Sequence, residues 1–463
     1  MGQPEGINPF LNQLGDIKTV WDSGWHWTIS HPSFYYWNRM ISTAFGTGTV
    51  YLTYLIAEKV FDNRWIALIA ALFIGATDLH VEFSALITPD VPTVFFSLGT
   101  VLFALKFLNE GKVSDYVFAL IFSGIAVSIK YNSAITVLIP LAALLIRSFT
   151  KKTDFSSLWV LLLIAVPVTT FIICMPYALL DTAGFLNGLG SELRHYKVQG
   201  HGSQSSTPGL AHMQYQLSLV KENIGGVSLF IAFAGTAAIA KKPKLLFVIL
   251  LPILYFLYMT QMKVNFHRNF LLLYPFLGVL YSASAWILFD TLSHLNINAT
   301  NRVFLNLKLL APLILAALLI GNVYHTAKSS LAIHRTVDSR SQIIAELNRI
   351  DSSRPLYLAS ELRFHDQDLR KLRSHKVKSL NDIFTCQDDY ENAIAVIPSE
   401  LFSMYKSGED QEKIKQFESH KPFFELNQML MKTGAENRPL LLDIYSINPE
   451  ILVLPMKNIL RCH

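Results

Sequence analysis

The chain has 463 residues, of which 51% are hydrophobic and only 16% charged, with a formal net charge of +5. Soluble domains carry about 25% charged residues, so an ordinary soluble protein is excluded over most of the length. The basic residues cluster in short loops between apolar runs, which gives no ground for nucleic-acid binding, and three cysteines are too few for a disulfide framework.

Residues 1–37 lack the basic start and apolar core of a signal peptide. They are polar and aromatic instead, with Trp21, Trp25, Trp27, Phe34, Tyr35, Tyr36 and Trp37. Such aromatics favour a membrane interface, so this segment is expected to be interfacial and outward-facing. Apolar runs dominate 38–325, and spans are expected at roughly 39–60, 64–80, 91–108, 115–130, 132–148, 157–176, 225–240, 244–262, 269–289 and 308–324. A crossing needs about 20 apolar residues, so the second and fourth must recruit flanking residues. Residues 116–146 are too long for one crossing, and Lys130-Tyr131-Asn132 divides them. Cys174 lies in an apolar run and reads as a small core residue.

Alternate connectors carry the basic residues: Lys59 to Arg64, Lys106 to Lys112, Arg147 to Lys152, Lys241 to Lys244 and Arg302 to Lys308. By the positive-inside rule these are cytoplasmic. The outward set is then 1–37, 78–91, 130–132, 177–224, 262–269 and everything after about 325. The stretch 177–224 is rich in glycine and serine and reads as a long mobile loop.

Residues 326–463 read as an outward-facing soluble α/β domain. Ser341 to Ile350 has helical spacing, and Pro355 to Ala359, Ala393 to Ile397 and Pro439 to Tyr445 are short apolar runs of the buried-strand kind. Polar helical stretches at about 362–372 and 408–419 separate them. Cys386 and Cys462 both fall here and could pair in an oxidising compartment.

The outward connectors collect Asp78, His80, Glu82, Asp90, Lys130, Asp181, His195, His201, His267 and Arg268. Each has an ordinary reading beside a functional one. Asp90 precedes Val91-Pro92 and suits a helix N-cap. His80 could be an interfacial histidine, and Glu82 a solvated loop acid. Lys130 could snorkel from a span end, although its outward side runs against the positive-inside rule. His267-Arg268 suits an anion, because arginine is always charged and grips phosphate with two parallel hydrogen bonds. Carboxylates beside Lys and Arg fit transfer of a group from a lipid phosphate: the acid serves as general base and the cations stabilise the departing charge. No His/Asp cluster has metal-ligand spacing.

Several stretches resemble a known family. They are His31-Pro32-Ser33-Phe34-Tyr35-Tyr36, Arg39 through Phe45-Gly46-Thr47, Leu79-His80 through Asp90-Val91-Pro92, Gly124 through Lys130-Tyr131-Asn132, Pro176-Tyr177-Ala178-Leu179-Leu180-Asp181, and His267-Arg268 through Tyr274-Pro275. In this order and placement they resemble the multi-spanning, lipid-phosphate-sugar-dependent glycosyltransferases of the GT-C fold, in the branch of protein O-mannosyltransferases and the aminoarabinose transferase of lipid A. The resemblance covers roughly 30–325. It implies a GT-C-like polytopic α-helical membrane protein of about ten spans with a C-terminal α/β soluble domain, in a bacterial inner membrane or an ER-type membrane.

The activity implied is inverting hexosyl or pentosyl transfer from a polyprenyl-phosphate sugar to a lipid, glycan or protein acceptor on the periplasmic or luminal side. No cofactor beyond that donor is implied. Asp90 matches the acid of the family's second outward loop, and Lys130 and Arg268 match basic positions near the donor phosphate. The expected substrate contacts are His31, His80, Glu82, Lys130, Tyr131, His267 and Arg268. The family also has a first span followed at once by an acidic residue or pair that supplies the main base. Neither precedes residue 38 here, where only Glu5, Asp16 and Asp22 are acidic. The expectation is a start lacking that span, with Asp22 beside Asp90 as the catalytic carboxylates. A transporter or lipid-linked-sugar flippase, and a non-catalytic receptor or scaffold, are the competing readings.

Overall fold

The structure is a computed structural model that describes residues 32–153, 156–201, 204–294, 313–335, 339–349 and 352–359, together with short pieces between 362 and 398 and residues 451–455. Asp22, His31, Cys386, Cys462 and the segments 408–419 and 439–445 lie outside the described residues. The chain divides into two compact units, Tyr35–Leu331 and Ala332–His463 with Met1–Phe34.

The larger unit is helical. Helix α1, Pro32–Phe61, opens with proline at its first position, where the missing N–H costs nothing. The hydroxyls of Thr43, Thr47, Thr49 and Thr53 donate to the carbonyls four residues back, which hides these polar groups in an apolar setting. Asn63 then caps α2, Arg64–Gly75, accepting from the N–H groups of Trp65 and Ile66. The chain bends by 68° into α3, Asp78–Ser84. Helices α4, Asp90–Glu110, and α5, Val113–Ile129, follow as a hairpin. Gly111 ends α4 with φ +73°, and a Cβ there would lie 2.1 Å from an Arg147 guanidinium nitrogen.

Lys130 is extended, a 3-10 turn runs Tyr131–Val137, and α6, Leu138–Phe149, completes that crossing. Of helix α7, Ser157–Cys174, only Pro167 is buried. Leu161, Ile164, Val168 and Ile173 are exposed along it. So wide an apolar surface suits lipid rather than water. Cys174 is exposed at its end rather than in the core, because this helix turns most of its circumference outward.

Five described helices are long and apolar enough to cross a membrane, and seven if each of two bent pairs is one span. Val113–Ile129 and Lys244–Met259 are apolar but shorter. The difference from the ten expected spans has a geometric cause. A helix rises about 1.5 Å per residue, and breaks at Ala76-Thr77 and Gly225 split two apolar runs into pieces. Residues 308–312 of the last expected span are outside the description.

The 177–224 stretch, expected as a mobile loop, is mostly helical: α8, Tyr177–Leu180; α9, Thr182–Arg194; a π turn, His195–Gln199; and α10, Leu210–Ile224. Asp181 caps α9 by accepting from the Gly184 N–H. Its glycines lower helix propensity, but Phe185 packs edge-on against Tyr131 and Phe171, and that contact overrides it. Helices α11, Gly226–Ala234, α12, Lys244–Met259, and α13, Leu273–His294, complete the bundle, and a last helix, α14, runs Ile320–Arg335.

In the smaller unit, helix α15, Ser339–Leu347, buries Ile343, Ile344 and Leu347. Strands β1 (Leu356–Leu358), β2 (Val377–Ser379), β3 (Ile394–Pro398) and β4 (Ile451–Pro455) form one sheet in the order β2-β1-β3-β4. The first three are parallel, and β4 pairs antiparallel with β3, Val396 facing Val453. The described pieces are α/β, with β1 and β3 at the expected apolar runs. Strands β2 and β4 were not foreseen.

Candidate active site

Four connectors that the charge pattern places on one side converge on one cavity of about 910 Å³. Asp90 opens α4, and its carboxylate is 3% exposed. The Lys130 ammonium lies 2.6 Å from the Asp90 Oδ1 and 2.7 Å from the Asn269 Oδ1. Lys130 stands in extended backbone between α5 and the crossing that follows it, which puts its side chain at this junction. Burial pushes its ammonium below the ordinary lysine range, against the opposing pull of Asp90.

Asn269 holds the node together. Its amide donates to the Tyr196 hydroxyl at 3.3 Å, and its backbone carbonyl accepts from the Tyr255 hydroxyl at 2.8 Å. Tyr196 stands in the π turn, an arrangement common at functional sites. Its backbone carbonyl accepts from the N–H of Lys263, tying the turn to the 262–269 connector. Burial raises the Tyr196 phenol, so it stays protonated.

The cavity wall includes Asp90, Lys130, Tyr131, Glu192, Tyr196 and Arg268 among its polar residues, with Ile87, Ile129, Phe171, Met175, Leu189, Met259 and Met262 among the apolar ones. The Arg268 guanidinium stacks 4.4 Å over the Phe266 ring, which fixes its direction. Two cations and two carboxylates therefore share a wall that is otherwise largely apolar. Such a site can take an amphiphile with an anionic head.

Of the residues singled out from sequence, Asp90, Lys130, Tyr131 and Arg268 line this cavity. His80, Glu82 and His267 are not on its wall. His80 is buried, with Nε2 3.3 Å from the Gly46 carbonyl oxygen. Glu82 is exposed on α3. The His267 ring sits in a buried polar network: Nδ1 is 3.3 Å from the Gln216 Oε1, and Nε2 is 3.0 Å from the Asn223 amide and 2.7 Å from the Tyr274 hydroxyl. Desolvation lowers its pKa to about 4. Neutral His267 thus donates through Nδ1 and accepts through Nε2, and it anchors the connector that carries Arg268. Asp78 accepts from the Thr326 hydroxyl and pairs with His325 at 2.8 Å. His195 and His201 pack edge-to-face. No group of three or more metal-binding side chains occurs among the described residues.

Asn269, Tyr196 and Glu192 were not proposed as site residues. Asn269 adjoins the His267-Arg268 pair and Tyr196 adjoins His195, and neither neighbour's pattern marks them. Glu192 gave no signal while its segment read as a loop.

Residues 37–177 match the family described as dolichyl-phosphate-mannose-protein mannosyltransferase. That stretch includes Asp90, Lys130 and Tyr131. No curated protein sequence matches the chain. Among solved structures, ArnT from Cupriavidus metallidurans is similar in its apo state, with 14% identity and a TM-score of 0.49 over 90% of this chain and 83% of that one. The same protein bound to undecaprenyl phosphate gives 12% identity and a TM-score of 0.48 over the same shares. The Archaeoglobus fulgidus oligosaccharyltransferase gives 13% and 0.43 over 90% of this chain and 62% of that one. The likeness to a mannosyltransferase family is confined to 37–177. The apolar helices of the same unit are those expected of an integral membrane protein.

Proposed function

We propose that this chain transfers a hexose or pentose, with inversion, from a polyprenyl-phosphate donor to a hydroxyl of a lipid, glycan or protein acceptor on the periplasmic or luminal side. The C-terminal unit lies on that same side and helps to bind the acceptor. The observation that carries this reading is the Lys130 ammonium, held by the Asp90 and Asn269 side chains at the wall of a largely apolar cavity that Arg268 also lines.

Lys130 and Arg268 bind the donor phosphate and stabilise the charge it gains as the sugar departs. Apolar residues such as Phe171, Met175 and Met262 take the first isoprene units. Asp90 is a positioning residue: it aims the Lys130 ammonium and balances its charge in the absence of phosphate. Tyr131 closes the wall beside the sugar. Asp22 and His31 are placed in this reading as a further carboxylate and a substrate contact, while His80, Glu82 and His267 act from outside the wall.

Asp90→Asn removes the charge that holds Lys130. Transfer in membranes from a labelled polyprenyl-phosphate sugar is expected to fall by about 10²-fold or more, with expression intact. Transfer at the wild-type rate would remove Asp90 from the mechanism.

A further inference from the structure

The buried residues of α10 are His212, Gln216, Val220 and Ile224, which fall on one helix face by their spacing. The first two are polar and fully buried, and burying an amide is costly unless its groups are paired. Gln216 pairs with the connector 262–269 and with the histidine that also holds it. Its Nε2 donates to the Asn265 carbonyl at 2.8 Å and to the His212 Nε2 at 3.2 Å, and its Oε1 accepts from the His267 Nδ1 at 3.3 Å. His212 in turn donates from Nδ1 to the Met262 carbonyl at 2.9 Å. One side chain therefore holds Asn265 and His267 at once. Between them stands Phe266, whose ring lies 4.4 Å from the Arg268 guanidinium. Gln216 is not on the cavity wall, and both its amide hydrogens are taken, so it reaches the cavity through what it holds.

We propose that Gln216 is a positioning residue for the donor phosphate: from α10 it fixes the chain on both sides of Phe266 and so aims the Arg268 guanidinium at the cavity. This rests on the glycosyltransferase reading above, in which Arg268 binds that phosphate. The stack on Phe266 sets the direction of the guanidinium only as firmly as Phe266 itself is held. Its two neighbours are held by a buried amide, one through a carbonyl and one through a ring. An arginine placed beforehand loses less freedom when it grips an anion. The polar half of the α10 face thus serves the site, while Val220 and Ile224 further along it pack into the apolar core.

The test uses the full chain in membranes. It measures binding of undecaprenyl phosphate, transfer from labelled polyprenyl-phosphate hexoses and pentoses, and melting in detergent. Gln216→Met keeps the side-chain length and removes all three hydrogen bonds. It is expected to weaken undecaprenyl phosphate binding by about 10-fold and to lower kcat/KM by about 10²-fold. Gln216→Glu keeps the oxygen that faces His267 and should recover part of both. In an Arg268→Ala background Gln216→Met should add little, because the group it aims is gone. Val220→Ala, one turn along the same face, lowers stability by leaving a cavity and should leave undecaprenyl phosphate binding unchanged. Wild-type binding and kcat/KM in Gln216→Met would overturn the proposal, as would losses that add in full to those of Arg268→Ala. An equal loss of binding in Val220→Ala would mark a general loosening of α10 and would overturn it too. Should Gln216→Met fail to fold, the same cycle with Gln216→Glu and Arg268→Ala decides by the same criterion. Each of these results leaves the transferase reading in place. A wild-type chain that neither binds undecaprenyl phosphate nor transfers from any donor would defeat that reading and the proposal with it.

Discussion

The two ends of helix α4 handle positive charge in opposite ways. At its C-terminal end, Arg147 donates to the carbonyls of Phe107 and Leu108 at 3.1 and 2.9 Å, to the Thr153 hydroxyl at 2.8 Å and to the Lys152 carbonyl at 3.1 Å. The last carbonyls of a helix run short of backbone donors; Arg147 supplies one to Leu108 and a second to Phe107, which also accepts from the Gly111 N–H. Nearby connectors add Lys244 to the Lys59 carbonyl, Lys241 to Asp290 and Lys242 to Asp62. These cations finish helix ends or pair with acids at the same end of the bundle. At the N-terminal end, Lys130 instead meets the side chains of Asp90 and Asn269, with the cavity beside it. A cation occupied with main-chain carbonyls is holding the fold. One held by side chains at a cavity wall is available to a ligand.

The sharpest way to break this comparison is Lys130→Met. It leaves the Asp90 carboxylate buried without its partner, and removing one member of a buried pair costs about 3–5 kcal/mol. Thermal melts in detergent should drop sharply, and transfer should be lost. The double variant Asp90→Asn, Lys130→Met should regain much of the stability, because no charge is left stranded, yet recover no activity. A double variant no more stable than Lys130→Met would show that the ion pair is not what burial penalises.

Arg147→Ala tests the other end. The residue is 7% exposed and makes four hydrogen bonds, so the loss should be about 2–3 kcal/mol. Transfer per folded molecule should be unchanged. If kcat fell with no change in melting, the division between a structural end and a functional end would fail.

The same contrast explains what the sequence could reveal. Charge alternation needs only the order of basic residues, so it separated Asp90, Lys130 and Arg268 from Arg147 and Lys241. Hydropathy located most helices for the same reason. Helix α9 was hidden because Gly184, Gly188 and Gly190 make a weak helix former, and its stability comes from Phe185 packing on residues distant in the chain. Glu192 could not be assigned while its segment had no face. His267 was read with Arg268 as one basic pair. Their rings and guanidinium in fact diverge, and only coordinates separate a buried neutral imidazole from a neighbour on the cavity wall.

His267 gives a pH test of that separation. Its pKa lies at about 4 in the folded chain, below the value of about 6.5 for a free histidine. The unfolded chain therefore binds the proton first as acid is added. Stability from this network is complete above about pH 6.5 and is lost progressively as the pH falls towards about 4. Protonation would put a proton on Nε2, where the Tyr274 hydroxyl and the Asn223 amide already donate. Melting temperatures in detergent across this window should show the slope, and His267→Gln should flatten it. An unchanged slope in that variant would assign the acid sensitivity elsewhere.

The smallest effect expected is at Lys241. Its side chain is 62% exposed and pairs with Asp290 at 2.7 Å. Exposed pairs of this kind contribute roughly 0–1 kcal/mol, because solvent screens the attraction and ordering two long side chains costs entropy. Lys241→Ala should shift melting barely, and less still at high salt, with transfer unchanged. Lys130 and Lys241 make ion pairs of nearly equal length, 2.6 and 2.7 Å, so distance alone does not distinguish them. Burial does. If Lys241→Ala reduced transfer as strongly as Lys130→Met, exposure would not separate the two lysines, and the basic connectors would have to take part in the reaction.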